Sequence, residues 1–218
     1  MLQGRVLVSG STANKPERLV DPAEPIELTG TPARFVSRGG EKLDAVLDEL
    51  SIDVKGRKCL DVGSSTGGFT DCLLARGADA VVAIDVGRGQ LAWSLRRDER
   101  VTVREQTDVR EVKAEEIGAV DLVSADLSFI SLRTVLPFIA ELAGAAPILA
   151  LVKPQFEVGR ERVGKGGVVR DAALHQEAVT VVAKAAERLG LRCSAAVPSA
   201  LPGAEGNREF FLLMERYR

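Results

Sequence analysis

Four apolar runs in this chain, 58–62, 80–84, 120–125 and 147–152, each deliver a polar residue or a glycine at or just past the carboxyl end: Asp61 and Gly63, Asp85, Asp126, and Lys153. In an open α/β sheet the strands' carboxyl ends share one edge, and ligands bind in the crevice there. An aspartate, a lysine and a glycine-rich turn are therefore expected to converge on one site. That layout suits an enzyme, and the glycine turn suits a nucleotide-like cofactor.

Asp61-Val62-Gly63-Ser64-Ser65-Thr66-Gly67-Gly68-Phe69 joins an expected strand to an expected helix through a turn poor in bulky side chains. Its glycines permit tight backbone angles and close approach to a ligand, and the helix that follows directs free amides at it. The spacing is G-x-x-x-G-G, not the G-x-G-x-x-G of dinucleotide sites, which argues against a nicotinamide cofactor. Asp85 follows Gly67 by eighteen residues, near the ~20-residue offset at which an acidic group reaches a ribose diol. The structural alternative for Asp85 is a plain turn cap before Gly87. A ribose-bearing cofactor with no pyrophosphate to bind points to S-adenosylmethionine.

Asp126 has no packing reason to follow its strand, although capping the next helix, by Asp126 or by Ser131, is the sober alternative. Pro154 stiffens the exit behind Lys153 and would aim that lysine over the sheet edge; the alternative is a solvated lysine. Glu209 opens the last expected strand, and if that strand runs antiparallel its start lies at the same edge. Lys42 sits at the margin of the buried face of a helix over 40–50, where Leu43, Val46, Leu47 and Leu50 recur at helical spacing. Two lysines and two carboxylates can then meet: Lys42, Asp126, Lys153 and Glu209.

The elements that must position them alternate as in doubly wound folds. Further helices are expected at 67–76, 89–96, 131–143 and 172–189, with strands at 58–62, 80–84, 101–104, 120–125, 147–152, 192–197 and 208–214. The stretch 154–170 holds four glycines without periodicity and reads as a functional loop or lid. Residues 1–28 read as short strands and turns, with Arg5 to Val8 alternating and Ser9-Gly10 turning. They are too few to bury a core alone.

A charged fraction of 28% and a hydrophobic fraction of 45% describe an ordinary globule. No apolar run approaches the roughly 18 residues of a membrane helix, and no secretion signal opens the chain, so the cytoplasm is the default. Cys59, Cys72 and Cys193 lie in apolar runs and read as core residues. His175 is the single histidine, which argues against zinc and Ser/His/Asp chemistry; a surface or half-buried place is expected for it. The net charge of −2 does not advertise a nucleic-acid binder. Between Lys153 and Arg170, however, five basic residues face two acidic ones, and Arg34, Arg38 and Lys42 form a second basic group. Phosphate contact competes here with simple solvation.

Arg38-Gly39-Gly40-Glu41-Lys42-Leu43, the 61–69 turn, Asp85-Val86-Gly87-Arg88-Gly89-Gln90-Leu91, the segments 126–132 and 153–157, and Gly206-Asn207-Arg208-Glu209-Phe210-Phe211 together resemble the TlyA (hemolysin A) family of ribosomal RNA 2′-O-methyltransferases. The resemblance runs from about residue 34 to the end. It implies an α/β, Rossmann-like methyltransferase fold of FtsJ type over 37–218, with a mostly parallel seven-stranded sheet and an antiparallel last strand. The family's Lys-Asp-Lys-Glu tetrad falls on Lys42, Asp126, Lys153 and Glu209. S-adenosylmethionine is implied to lie against Asp61, Gly63, Ser64, Ser65, Thr66, Gly67, Gly68, Phe69, Asp85, Val86, Asp108 and Asp126. Ribosomal RNA or ribosomal subunits are the implied partners, held by Arg5, Arg34, Arg38, Arg160, Arg162, Lys165 and Arg170, with cytidine ribose as the methyl acceptor and neither metal nor membrane involved.

The family's members begin with a small RNA-binding domain related to that of ribosomal protein S-four, and Gly4 to Gly10 resembles only its latter half. Residues 1–28 are thus expected to be a partial RNA-binding segment and 29–36 a linker, through a start site placed downstream of the true one or through a reduced RNA anchor. A hydroxyl is a poor nucleophile near neutral pH without a base or charge stabilisation. Lys153 is expected either to take the proton or, as an ammonium, to stabilise the alkoxide, with the carboxylates orienting the amines. Three rivals stand beside this reading. A membrane-lysing protein, after the family's older name, would need spanning helices or barrel strands; a binding-only RNA module is opposed by the intact tetrad; a methyltransferase for another hydroxyl or a protein group is the runner-up.

Overall fold

A computed structural model of the chain describes residues 6–15, 17–30 and 33–217. Arg5 lies outside the described residues. The chain divides into two compact units, Met1–Arg34 and Phe35–Arg218.

In the first unit β1 (Val6–Val8) pairs antiparallel with β2 (Ser11–Thr12) and with β3 (Ile26–Leu28). The expected turn at Ser9-Gly10 has left-handed backbone at both residues, φ +50° and +77°, the geometry that suits the twist of a two-residue hairpin. The third strand was not expected. Its two apolar residues, Ile26 and Leu28, are exposed, so no buried face marks it in the sequence.

The second unit opens with α1 (Arg38–Glu49), β4 (Lys58–Val62), α2 (Gly68–Ala75), β5 (Ala80–Ile84), α3 (Trp93–Arg96), β6 (Val101–Arg104), α4 (Ala114–Ile117) and β7 (Leu122–Ala125). It continues with α5 (Leu132–Ala143), β8 (Ile148–Val152), α6 (Pro154–Glu157), α7 (Ala172–Arg188), β9 (Leu191–Pro198) and β10 (Phe210–Arg216). The seven strands are ordered β6-β5-β4-β7-β8-β10-β9. β4 to β8 are parallel, whereas β10 runs antiparallel to both neighbours. This is the expected sheet, with an antiparallel final strand. Alternate residues of one strand serve opposite faces: Leu149, Leu151 and Phe211 pack with Leu43, Leu47 and Leu73 of α1 and α2, while Ile148, Ala150 and Leu212 pack with Leu136, Ile139 and Val182 of α5 and α7. No helix among the described residues is long and apolar enough to cross a membrane.

Three expectations need correction. The helix expected over 89–96 is reduced to Trp93–Arg96, because the Glu105 carboxylate takes the amides of Gly89, Gln90 and Leu91 at 2.6, 2.9 and 3.1 Å and holds them in a non-helical turn. The expected loop over 154–170 contains α6 and two single turns of 3-10 helix, Arg160–Arg162 and Lys165–Gly167, each too short to leave a periodicity. His175, expected at the surface or half-buried, is buried: its Nε2 lies 2.8 Å from the Val169 carbonyl and its ring packs on Phe210. Cys59 and Cys72 are buried as expected, and Cys193 is half-buried.

Asp61 lies inside β4 with no exposure. Thr70 Oγ1 and Ser124 Oγ donate to its carboxyl at 2.7 and 3.2 Å, and burial pushes its pKa up from 3.8 to about 7. The folded protein therefore keeps a proton that the unfolded chain releases, so stability falls as pH rises from about 4 to about 7. Asp61→Asn cannot ionise and removes this dependence. Between pH 5 and pH 8 the unfolding free energy of the wild type should drop by about 1–3 kcal/mol relative to the variant, as read from urea midpoints. A gap that does not change with pH would contradict the burial argument.

Candidate active site

Strand order reverses at β4, which has β5 on one side and β7 on the other, and such a switch point opens a crevice at the carboxyl ends. The glycine turn leaves β4 there. Gly63 has φ +85°, and a Cβ on it would collide with the Asp126 carbonyl oxygen beyond β7. Only glycine lets these two strand exits come so close. Gly67, at φ +97°, faces Leu91 and Leu95 in the same way and starts α2.

A cavity of about 440 Å³ lies against this turn, lined by Gly63, Ser65, Asp85, Val86, Asp108 and Asp126 among others. Its size falls within the roughly 300–1,000 Å³ of small-molecule sites. Asp85 accepts from Ser65 N at 2.8 Å and from Gly87 N at 2.6 Å. The turn-capping role is thus real, and each carboxylate oxygen has room for a second donor. Asp108 is held by Arg110, whose guanidinium keeps its carboxyl below the usual range. Asp61 does not line this cavity; it lies beneath the turn, closed off by Thr70 and Ser124.

A second cavity, about 700 Å³, is lined by Lys42, Phe129, Lys153, Gln155, Phe156 and Glu209 among others. Between the two lies a small pocket of about 170 Å³ that Lys42, Gly63, Ser65, Asp126, Ser128 and Lys153 share. Lys42, Asp126 and Lys153 therefore stand where two cavities meet, with Glu209 beside them on the wall of the second. They form two pairs: Lys42 Nζ donates to Glu209 Oε2 at 2.6 Å, both side chains buried, and Lys153 Nζ lies 2.6 Å from Asp126 Oδ1. The second contact is electrostatic rather than a directed hydrogen bond, since Asp126 Oδ1 has no hydrogen-bond partner while Lys153 donates to Ser128 Oγ at 2.9 Å.

The elements explain these placements. Lys42 is brought over the sheet edge because α1 begins hard against α2: a Cβ on Gly68 would lie 2.9 Å from Gly40 N, and one on Gly40 would enter the Phe35 side chain. Arg76 then ties the helices through Asp44 and Asp48 at 2.6 and 2.7 Å. Lys153 caps α6, with Pro154 as its first residue. Glu209 precedes β10 by one residue instead of opening it, and its Oε1 occupies the space a side chain at Gly203 would need.

Several contributors carried no legible sequence signal. Ser128 steadies Lys153. Buried Glu157 accepts from Ser131 Oγ at 2.6 Å and Leu132 N at 2.7 Å, which fastens the segment after Asp126 to α6; burial raises its pKa. Buried Asn207 accepts from Val169 N at 3.0 Å and donates to Gly167 O at 2.9 Å. These partners lie far apart in sequence, so only the fold reveals them.

The basic residues divide. Arg160 lines the second cavity, and Lys165 and Arg170 are exposed. Arg162, itself exposed, donates to Val158 O at 2.7 Å and to Glu177 at 2.8 and 2.5 Å. Arg38 donates to Pro202 O at 2.6 Å. Arg34 belongs to the first unit and is exposed. Among the described residues no group of histidine, cysteine or carboxylates could hold a metal ion.

Comparison with known proteins agrees with this geometry. The FtsJ-like methyltransferase family model matches residues 35–216. The 16S/23S rRNA (cytidine-2′-O)-methyltransferase TlyA of Mycobacterium tuberculosis is 51% identical over 212 residues, covering 96% of this chain and 79% of that protein. Hemolysin A of Brachyspira hyodysenteriae is 37% identical, over 96% of this chain and 88% of its own length. A solved structure of a hemolysin-designated protein from Streptococcus thermophilus superposes with a TM-score of 0.84 at 38% identity, covering 98% of this chain and 79% of that one. With its switch-point turn, its two cavities and these relatives, the chain belongs to the FtsJ-like methyltransferase family.

Proposed function

We propose that this protein is an S-adenosylmethionine-dependent 2′-O-methyltransferase of cytidine ribose in ribosomal RNA. The observation that carries the reading is the junction: Lys42, Asp126 and Lys153 line the passage between a cofactor-sized cavity and a larger one, with Glu209 holding Lys42 from beneath. The names of the relatives supply the substrate class.

The first cavity fits an adenosyl cofactor. Gly63 and Gly67 keep side chains out of the turn, Asp85 offers its carboxylate to a ribose diol, and Asp108 and Val86 stand on the same wall. Bound there, S-adenosylmethionine supplies a methyl carbon made electrophilic by its sulfonium. The protein's task is to bring a hydroxyl oxygen to that carbon and manage its proton. Lys153 stands at the passage where that oxygen arrives. The attacking hydroxyl would have to give up its proton, and that proton falls to this chain's residues. A neutral Lys153 amine receives it; an ammonium instead holds the growing negative charge. Asp126 and Ser128 fix the amine in either case. The buried Lys42–Glu209 pair adds a second cation at the passage.

The larger cavity suits a nucleotide taken out of its stack. Phe129 is exposed and lies 5.4 Å from Phe156, ring centre to ring centre, and exposed aromatic faces stack unpaired bases. Arg160, Lys165 and Arg170 are exposed cations near this cavity that would meet phosphates; Arg38 is a further expected contact, and Arg5 and Arg34 are expected contacts of the first unit.

Lys153→Ala should abolish transfer to ribosomal RNA, by at least about 100-fold, while cofactor binding by calorimetry stays intact. Full activity would remove Lys153 from the chemistry. Lys153→Arg separates the two roles: retained partial activity marks charge stabilisation, and none marks a base. Neutralising Arg160, Lys165 and Arg170 together should weaken RNA binding and lower the slope of log affinity against log salt by about 2. If affinity and slope stay as they were, this segment makes no RNA contact.

A further inference from the structure

We infer that Gln155 reads the target base, accepting a hydrogen bond from the exocyclic amine that cytosine has and uracil lacks. The inference rests on the function proposed above and adds to it the residue that chooses the base. Gln155 occupies the first turn of α6, two residues beyond Lys153, and lines the larger cavity together with Phe129 and Phe156. Its Oε1 is buried and has no hydrogen-bond partner.

Buried side-chain oxygens in native proteins are nearly always bonded. Among the described residues only two such atoms lack a partner, Gln155 Oε1 and Asp126 Oδ1. Both belong to residues on the walls of the reaction site. Asp126 Oδ1 is compensated by the Lys153 charge at 2.6 Å. Gln155 Oε1 is not among the ion-paired atoms, so the group it lacks is a donor; the residue stands on the wall of the larger cavity, and a base entering there can supply that donor once the amide turns toward it.

The rest of the cavity narrows the donor's identity. With the sugar at Lys153 and the ring against Phe129, the base presents its edge to the cavity wall that includes Gln155. Cytosine offers an N4 amine at that edge, whereas uracil offers the O4 acceptor. With the carboxamide oriented as it is here, uracil would set two acceptors face to face, and it is accommodated only if the amide turns over to offer Nε2; a site built to hydrogen-bond a group discriminates against an analogue without it. Reading by this one residue also leaves the cofactor cavity untouched, since Gln155 does not line it.

The test compares ribosomal subunits carrying cytidine or uridine at the mapped methylation position, in single-turnover methyl transfer with the full-length protein. Gln155→Met keeps the side chain's length without a strong acceptor. It should lower the rate on cytidine by about 10- to 100-fold and bring the cytidine-to-uridine ratio close to one, with cofactor affinity unchanged. Gln155→Glu keeps the acceptor and has no amide to turn toward uracil, so it should retain the preference for cytidine. An unaltered ratio in Gln155→Met would overturn the inference, as would loss of the ratio in both variants. Failure of the wild type to methylate the cytidine substrate would instead overturn the function on which it rests.

Discussion

Close contact between two strand exits organises this molecule. The Gly63 backbone passes so near the Asp126 carbonyl that no side chain fits between them, while Asp126 N donates to Val62 O at 3.0 Å. These contacts bring the turn after β4 and the segment after β7 into one wall at the switch point of the sheet. The first cavity lies on that wall, and Lys153 reaches Asp126 from the next strand, β8. A side chain at residue 63 would separate the turn from Asp126 and enlarge the distance on which the rest of the site depends.

The two ion pairs at the site differ in environment and so in purpose. Lys42 and Glu209 are buried, where breaking a pair costs about 3–5 kcal/mol because a charge is left uncompensated. That pair ties the first helix of the unit to the lead-in of its last strand. The two amines are almost equally shielded, with side-chain exposures of 10% for Lys42 and 12% for Lys153, and it is the carboxylates that differ, 2% for Glu209 against 22% for Asp126. Lys42 makes a directed hydrogen bond to its carboxylate, whereas Lys153 donates to Ser128 and is paired with Asp126 by charge.

The segment from Pro154 to Arg170 owes its order to contacts with distant elements. Glu157 ties its start to the beginning of α5, Arg162 ties its middle to Glu177 of α7, and Asn207 ties its end to the lead-in of β10. His175 adds a bond to the Val169 carbonyl. One wall of the larger cavity is thereby built from a glycine-rich stretch without a hydrophobic periodicity of its own. Arg162, which reads as a phosphate contact, also pairs with a carboxylate fifteen residues away while both side chains stay exposed.

The core strands and the edge on which the site lies were determined by local pattern. Buried parallel strands are continuous apolar runs, which is why 58–62, 80–84 and 101–104 can be read to the residue, and strand direction then places Asp85, Asp126 and Lys153 at one edge. Local pattern could not show which polar groups are spent. Asp61 belongs to the same motif as Gly63 yet turns into the core toward Thr70 and Ser124, because alternate residues of a strand face opposite ways. Nor could it show what Ser128, Glu157, Gly203 and Asn207 meet, or that Gln155 keeps an unbonded oxygen while lining the larger cavity. Those facts concern pairs separated by tens of residues, whose distances exist only after the sheet has closed around them.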